Sequence, residues 1–176
     1  NNVYIIGTMN TADRSITSID SALRRRFSFK EFLPMPSLIK EKVLHDGQTV
    51  VLSDVLTVIN KRIEYLLDKD HLIGHSYFMK IKTWDDLCET MNNNIIPLLQ
   101  EYFYNDWEKI ALVMGDTDSF KKNDDEKIVI KNKFPSHELF KKDYFGEDID
   151  LYFLNNDLTS GNYQKFSVQF FLKGFK

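Results

Sequence analysis

Residues 3–15, Val3-Tyr4-Ile5-Ile6-Gly7-Thr8-Met9-Asn10-Thr11-Ala12-Asp13-Arg14-Ser15, pass from an unbroken apolar run into a polar loop. Val3 to Thr8 reads as a buried strand: short, β-branched and aromatic, apolar on both faces. Burial on both faces suits a central strand of a parallel sheet, and its sheet neighbours do not stand in this sequence. In such sheets ligands sit beyond the carboxyl ends of the strands, which is where this segment delivers Asn10, Asp13 and Arg14. The strand opens within two residues of Asn1, with no initiator Met before it, as expected of a piece of a longer protein.

An Asn at that edge can hold an attacking water with its amide. A nearby Asp can orient the amide or help place a metal-bound water, and Arg14 can pair with phosphate or carboxylate. Positioning water in this way is a large part of phosphoryl-transfer catalysis. The plainer reading is a turn in which Asn10 and Asp13 bond their own backbone. Downstream, in Asp20-Ser21-Ala22-Leu23-Arg24-Arg25-Arg26-Phe27, Ser18 or Asp20 would cap a short helix through Arg25, at whose end three arginines stand in a row. They cannot all face one way. One or two could reach across a subunit boundary, stabilise the helix C-terminus, or touch nucleic-acid phosphate.

The chain carries 43% hydrophobic residues, enough for a real core, and a net charge of −3, which gives no electrostatic case for DNA binding by the chain as a whole. The single cysteine, Cys88, excludes an internal disulfide framework and fits a reducing, cytoplasmic compartment. No apolar stretch reaches the roughly 20 residues that span a bilayer, so no membrane partner is expected. His45, His71, His75 and His137 do not cluster at metal-ligand spacing.

Phe27 to Phe32 reads as a second strand, closed by Pro34 and Pro36. The middle reads as helical. Ser37 would cap a short helix to His45, stopped by Gly47. A longer helix starting at Ser53 or Asp54 shows Val55, Val58, Ile59, Ile63, Leu66 and Leu67 on one face. Residues 70–82 are expected to be irregular. Thr83 with Asp86 forms an acidic capping box, and the helix behind it should kink or break at Asn92-Asn93-Asn94 or Pro97. In the last third, 128–130, 151–154 and 163–172 read as strands, with a turn at Thr159 to Asn162.

Four blocks together resemble one family. Met9-Asn10-Thr11-Ala12-Asp13-Arg14-Ser15 resembles the sensor-1 loop of the McrB family, the AAA+ GTPase subunits of 5-methylcytosine-specific restriction systems. Ala22-Leu23-Arg24-Arg25-Arg26-Phe27 is similar to its arginine-finger helix. Ile73-Gly74-His75-Ser76-Tyr77-Phe78 and Ile96-Pro97-Leu98-Leu99-Gln100-Glu101-Tyr102-Phe103 are similar to two segments of its lid. Four blocks in order are far more specific than any one alone. The resemblance implies an α+β chain in three parts. Residues 1–33 would end the large nucleotide subdomain, 34–115 would form a helical lid, and 116–176 a β-containing extension.

By the same resemblance, Asn10 is the sensor-1 residue, with Asp13 and Arg14 completing the water-positioning loop. Arg25 and Arg26 would act on a neighbouring subunit's nucleotide, with Asp20 orienting that contact. His75 and Ser76 occupy the lid position where many AAA+ proteins place a sensor-2 arginine. They are candidates for nucleotide contact, with a structural or backbone-bonding role as the alternative. The full-length protein would bind GTP, or ATP, with Mg2+. It would assemble into a ring, plausibly a hexamer, and drive an McrC-type nuclease subunit on methylated DNA read by an N-terminal domain. The sequence departs from that family widely: it has no Gly-rich loop ending Gly-Lys-Ser/Thr and no strand-borne acidic pair. The isolated chain is therefore expected to bind no nucleotide tightly and to be inactive. The alternative is a lid or oligomerisation scaffold of a MoxR-like AAA+ protein with a non-DNA client. Without sheet partners, the Val3–Thr8 strand should pair with another copy or tuck against the chain's own β-rich end.

Overall fold

The computed structural model describes residues 2–9, 25–116, 126–134 and 149–175. The chain is α+β, and among the described residues helices gather around one hydrophobic cluster with two small antiparallel hairpins set against it. The first hairpin joins β1 (Lys42–His45) to β2 (Gln48–Val51), with Val43 opposite Val50. The expected helix from Ser37 to His45 is thus replaced by a 3-10 turn, Pro36–Leu38, and a strand. The physical reason lies at Asp46-Gly47. Both residues take positive φ, 49° and 70°, as a tight hairpin turn of matching twist requires, and Asp-Gly is among the pairs that accept it most readily. Val43, His45 and Val50 are buried, while Leu44 and Thr49 face outward, as a pleated ribbon demands.

Helix α1 (Leu52–Leu66) follows directly and buries Leu52, Val55, Leu56, Ile59 and Ile63 along one stripe, with Val58, Leu66 and Leu67 packed at its border. Each fully buried aliphatic side chain contributes about 1.5–3 kcal/mol. Residues 67–83 carry two 3-10 turns, Lys69–His71 and His75–Tyr77, in otherwise irregular chain. The capping box is present in both halves. Asp86 N–H donates to Thr83 Oγ1 at 3.1 Å, and Thr83 N–H donates to Asp86 Oδ2 at 2.9 Å. Behind it, α2 (Trp84–Thr90) runs through a π-turn, Met91–Ile95, into α3 (Ile96–Tyr102). The wider turn falls on the three asparagines just before Pro97, whose ring would crowd a regular α-helical carbonyl. Helix α4 (Trp107–Met114) is capped by Asp106, which accepts from Lys109 N–H, and ends at Gly115.

The second hairpin pairs β3 (Val129–Phe134) with β4 (Ile149–Leu154) from Val129↔Leu154 to Phe134↔Ile149. Buried Asp116 joins it to α4 by accepting from Ile128 N–H and Val129 N–H, both at 2.9 Å. A single turn of helix, α5 (Asn156–Thr159), precedes the expected turn, where Gly161 takes a φ of 75°.

The strand expected over 163–172 does not form. A 3-10 turn, Tyr163–Lys165, and helix α6 (Gln169–Gly174) occupy it. Aromatic content favours strands, but Phe166/Phe170 and Phe171/Phe175 stand four residues apart, a helical spacing, and all four are buried. They cluster around Trp84, whose Nε1–H donates to Tyr163 O at 2.6 Å and whose ring stacks on His45 at 4.2 Å.

The strands expected at Val3–Thr8 and Phe27–Phe32 also do not form. Residues 2–9 are irregular, Tyr4 and Ile6 are 91% and 92% exposed, and the chain turns at 25–27 before an irregular stretch. A strand apolar on both faces is stable only between sheet neighbours. Among the described residues each hairpin pairs only with itself, so the segment does not tuck against the β-rich end.

Gly115 sits in the left-handed region, φ 70°, and a Cβ there would lie 2.9 Å from Arg62 Nη1 and 3.0 Å from Gly174 O. Gly115→Ala is expected to destabilise the fold by about 2 kcal/mol or more, read from urea denaturation. Three cap carboxylates are held below the usual carboxylate range: Asp68 by the His71 ring, Asp86 by the Lys82 and Thr83 N–H groups, and Asp106 by Lys109. Folding lowers each pKa, so their contribution is present above the ordinary value of 3.8 and is lost as pH falls through the lowered values. The melting temperature should therefore drop below about pH 4. Asp86→Asn should flatten that decline, and an unchanged slope would reject the assignment.

Candidate functional site

The site is built from the end of α1 outward. Asn60 lies on the buried stripe of α1, 7% exposed, where an apolar residue would otherwise be expected. Its amide pairs with the backbone of one residue: Nδ2–H donates to Ile73 O at 2.9 Å, and Ile73 N–H donates to Oδ1 at 2.8 Å. Inside a core such a pair satisfies two groups that would each cost about 1–3 kcal/mol if left bare. It fixes the start of the Ile73-Gly74-His75-Ser76 loop against a rigid helix. On the N-terminal side of that loop, Asp68 accepts from Asp70 N–H, His71 N–H and the His71 ring at 2.6 Å. His71 is buried with its ring edge against Tyr102 of α3.

His75 is half-buried and its Nδ1 accepts from Met35 N–H at 3.2 Å, the backbone-bonding role that the sequence allowed. A second tie runs parallel to it, from Lys69 Nζ to Glu31 at 2.7 Å. Between these two bridges lies a cleft of about 310 Å³, lined by Met9, Phe32, Met35, Lys69, His75 and Ser76 among others. Segment 31–35 thus rests on the loop at residues 69–76, with concave space between them. Ser76 is exposed at its edge.

Asn10, Asp13, Arg14 and Asp20 lie outside the described residues. Arg25 and Arg26 are exposed at the turn that opens segment 25–35, and neither makes an ion pair among the described residues. The structure therefore brings His75 and Ser76 together with Met9, the residue before Asn10, and leaves the Arg25 and Arg26 side chains facing outward. Cys88 is buried and its thiol is pushed well above its usual range by desolvation, so it offers no thiolate. No cluster of three potential metal ligands occurs among the described residues. No described helix is long and apolar enough to cross a membrane.

Residues 51–111, from the end of β2 into α4, match the family model described as the McrB alpha-helical lid domain. The chain is also 39% identical over 120 residues to the "Type IV methyl-directed restriction enzyme EcoKMcrB subunit" of Escherichia coli K12. Residues 51–111 of the chain are therefore similar to an McrB lid. That alignment covers 60% of the chain and 26% of the E. coli protein. A second relative, "Type II restriction enzyme BsuMI component YdiS" of Bacillus subtilis 168, is 28% identical over 108 residues, 57% of this chain and 31% of its own length. The chain thus spans about a quarter to a third of the curated relatives it matches. Asn60, His71 and His75 all fall within the residues that match the lid model, and the cleft opens between those residues and the segment that precedes them.

Asn60 and Asp68 were not singled out from the sequence, although a polar residue between Leu56, Ile59 and Ile63 is a legible signal of a buried partner. Asn60→Leu, which keeps the branched shape and removes both bonds, should cost about 2–4 kcal/mol by leaving the Ile73 N–H and C=O unpaired. Hydrogen exchange at Ile73 should speed up in step. Protection equal to that of the unaltered protein would show that the pair does not hold the loop.

Proposed function

We propose that this chain supplies the lid and trans-acting arginines of the nucleotide-hydrolysing AAA+ subunit of a modified-cytosine-specific DNA restriction system. The observation that carries the reading is the McrB lid match over residues 51–111, joined to a Met-Asn-Thr-Ala-Asp-Arg-Ser loop and an Ala-Leu-Arg-Arg-Arg-Phe run upstream in the order the family resemblance requires. Both relatives are named as restriction-system proteins, which supports the same setting.

In this reading residues 1–33 close the nucleotide subdomain, 34–115 form the lid and 116–176 are an extension. Asn10 holds the attacking water, with Asp13 and Arg14 completing its loop. GTP is the expected nucleotide and ATP the alternative, with Mg2+ neutralising the phosphates in the full-length protein. Arg25 and Arg26, exposed and unpaired among the described residues, reach the nucleotide of a neighbouring subunit in a ring, with Asp20 orienting them. An arginine so placed stabilises charge on the transferring phosphoryl group and can contribute about 10³–10⁵ in rate. A McrC-type nuclease subunit and methylated DNA are the partners that the restriction setting calls for.

The test uses the full-length subunit. The paired substitution Arg25→Ala and Arg26→Ala should lower hydrolysis by about 10³-fold or more while nucleotide binding persists. Asn10→Ala should slow turnover without abolishing binding. Undiminished hydrolysis by the double variant would reject the trans-arginine role, and unchanged turnover in Asn10→Ala would reject the sensor role.

A further inference from the structure

The match to the lid model ends at residue 111, yet residues inside it are committed to the far end of the chain. Trp84 opens α2, and its Nε1–H donates to Tyr163 O at 2.6 Å. Beside it, Asp85 accepts from Gln164 Nε2 at 2.8 Å. On α1, Arg62 donates to Gly174 O at 2.6 Å and lies over the Phe175 ring at 5.4 Å. Segment 163–175 is therefore held at its start by α2 and at its end by α1. Near that end Lys173 also pairs with the buried Glu126 carboxylate at 2.7 Å.

The backbone of the segment comes equally close. A Cβ on Gly115 would stand 3.0 Å from Gly174 O and 3.2 Å from Gly174 Cα, so α4 ends in a residue that leaves room for this approach. Helix α6 has six residues, too few to hold a helix in water without tertiary support. Its order comes from packing: Phe166, Phe170, Phe171 and Phe175 are buried, and the Phe166 and Phe171 rings meet Trp84. Lifting the segment would bare Trp84 on α2 together with these four rings, and would take one carbonyl partner from Arg62. Segments that open by themselves are those held by few buried apolar contacts. This segment is not one of them.

We propose that residues 163–175 form a strap that closes the core of the lid-matching residues and opens only together with α1. This goes beyond the proposed function, in which everything after residue 115 is an extension, and it does not depend on nucleotide. The strap fixes α2 and α1 at its two ends, so the unit that moves as a lid would run to the end of α6.

Native-state hydrogen exchange on the full-length subunit tests the strap. The amides of Phe170, Phe171 and Leu172 donate to Ser167 O and Val168 O, so their exchange reports its opening. In the unaltered protein they should exchange within about tenfold of the α1 amides, and urea should speed both sets with the same slope. Arg62→Met keeps an unbranched apolar stem and removes the bonds to Val113 O and Gly174 O. It should speed both sets by about tenfold or more. Strap amides that exchange more than about a hundredfold faster than α1 would mark a tail that peels away by itself, and would overturn the proposal without any variant. A response to Arg62→Met confined to the strap, or absent from both sets, would overturn it as well.

Discussion

The pairing of the Asn60 amide with both backbone groups of Ile73 is the interaction on which the candidate site depends. Helix α1 is held by its apolar stripe, so a polar side chain on that stripe becomes a fixed point inside the core. Asn60 converts the rigidity of the helix into rigidity of an irregular loop. Without it, residues 73–76 would have to bury a bare N–H and C=O or move toward water. With it, His75 meets Met35 and the cleft keeps its shape. A loop positioned by a packed scaffold is where binding residues are most often found.

The far end of the molecule is tied by a comparable device. Half-exposed Arg62 donates to Val113 O at 2.8 Å and to Gly174 O at 2.6 Å, and lies over the Phe175 ring at 5.4 Å. Burial lowers its pKa and the nearby Asp116 carboxylate opposes that shift. Asp116 itself receives the first N–H groups of the second hairpin. One network of hydrogen bonds therefore joins α1, the end of α4, the hairpin and the C-terminal helix. Gly115 is the residue whose missing Cβ lets these elements approach. The aromatic cluster around Trp84 reaches the same neighbourhood through Phe175, which gives Phe166, Phe170, Phe171 and Phe175 their place.

What was legible in the sequence follows from how local each signal was. The α1 stripe, the Thr83–Asp86 capping box and the irregularity at Asn92–Asn94 are set by residues three to five apart; the first two stand in the structure, and the third is a π-turn through which the helix continues. The strand at Val3–Thr8 depends on sheet partners that the described residues do not supply, so its apolar character could not make it a strand here. The Ser37–His45 helix lost to the hairpin because Asp46-Gly47 chemistry outweighed a weak helical pattern. The 163–172 segment was misread because aromatic composition was weighed above its four-residue spacing. Of the candidate site, His75 and Ser76 were found through the family resemblance. Asn60 and the Met35–His75 bond were not, because their partners stand 13 and 40 residues away and only the fold brings them together, while Asp68 caps a 3-10 turn too short to leave a periodic pattern.

A buried amide thus sets a loop, and the loop sets one wall of a cleft with an apolar lining. The central claim is that the Asn60–Ile73 pair holds residues 73–76 against α1. The most direct measurement is a crystal structure of the Asn60→Leu variant. The expected result is a loop displaced from α1, with the Met35–His75 bond lost. A loop that keeps its place, with that bond intact, would contradict it.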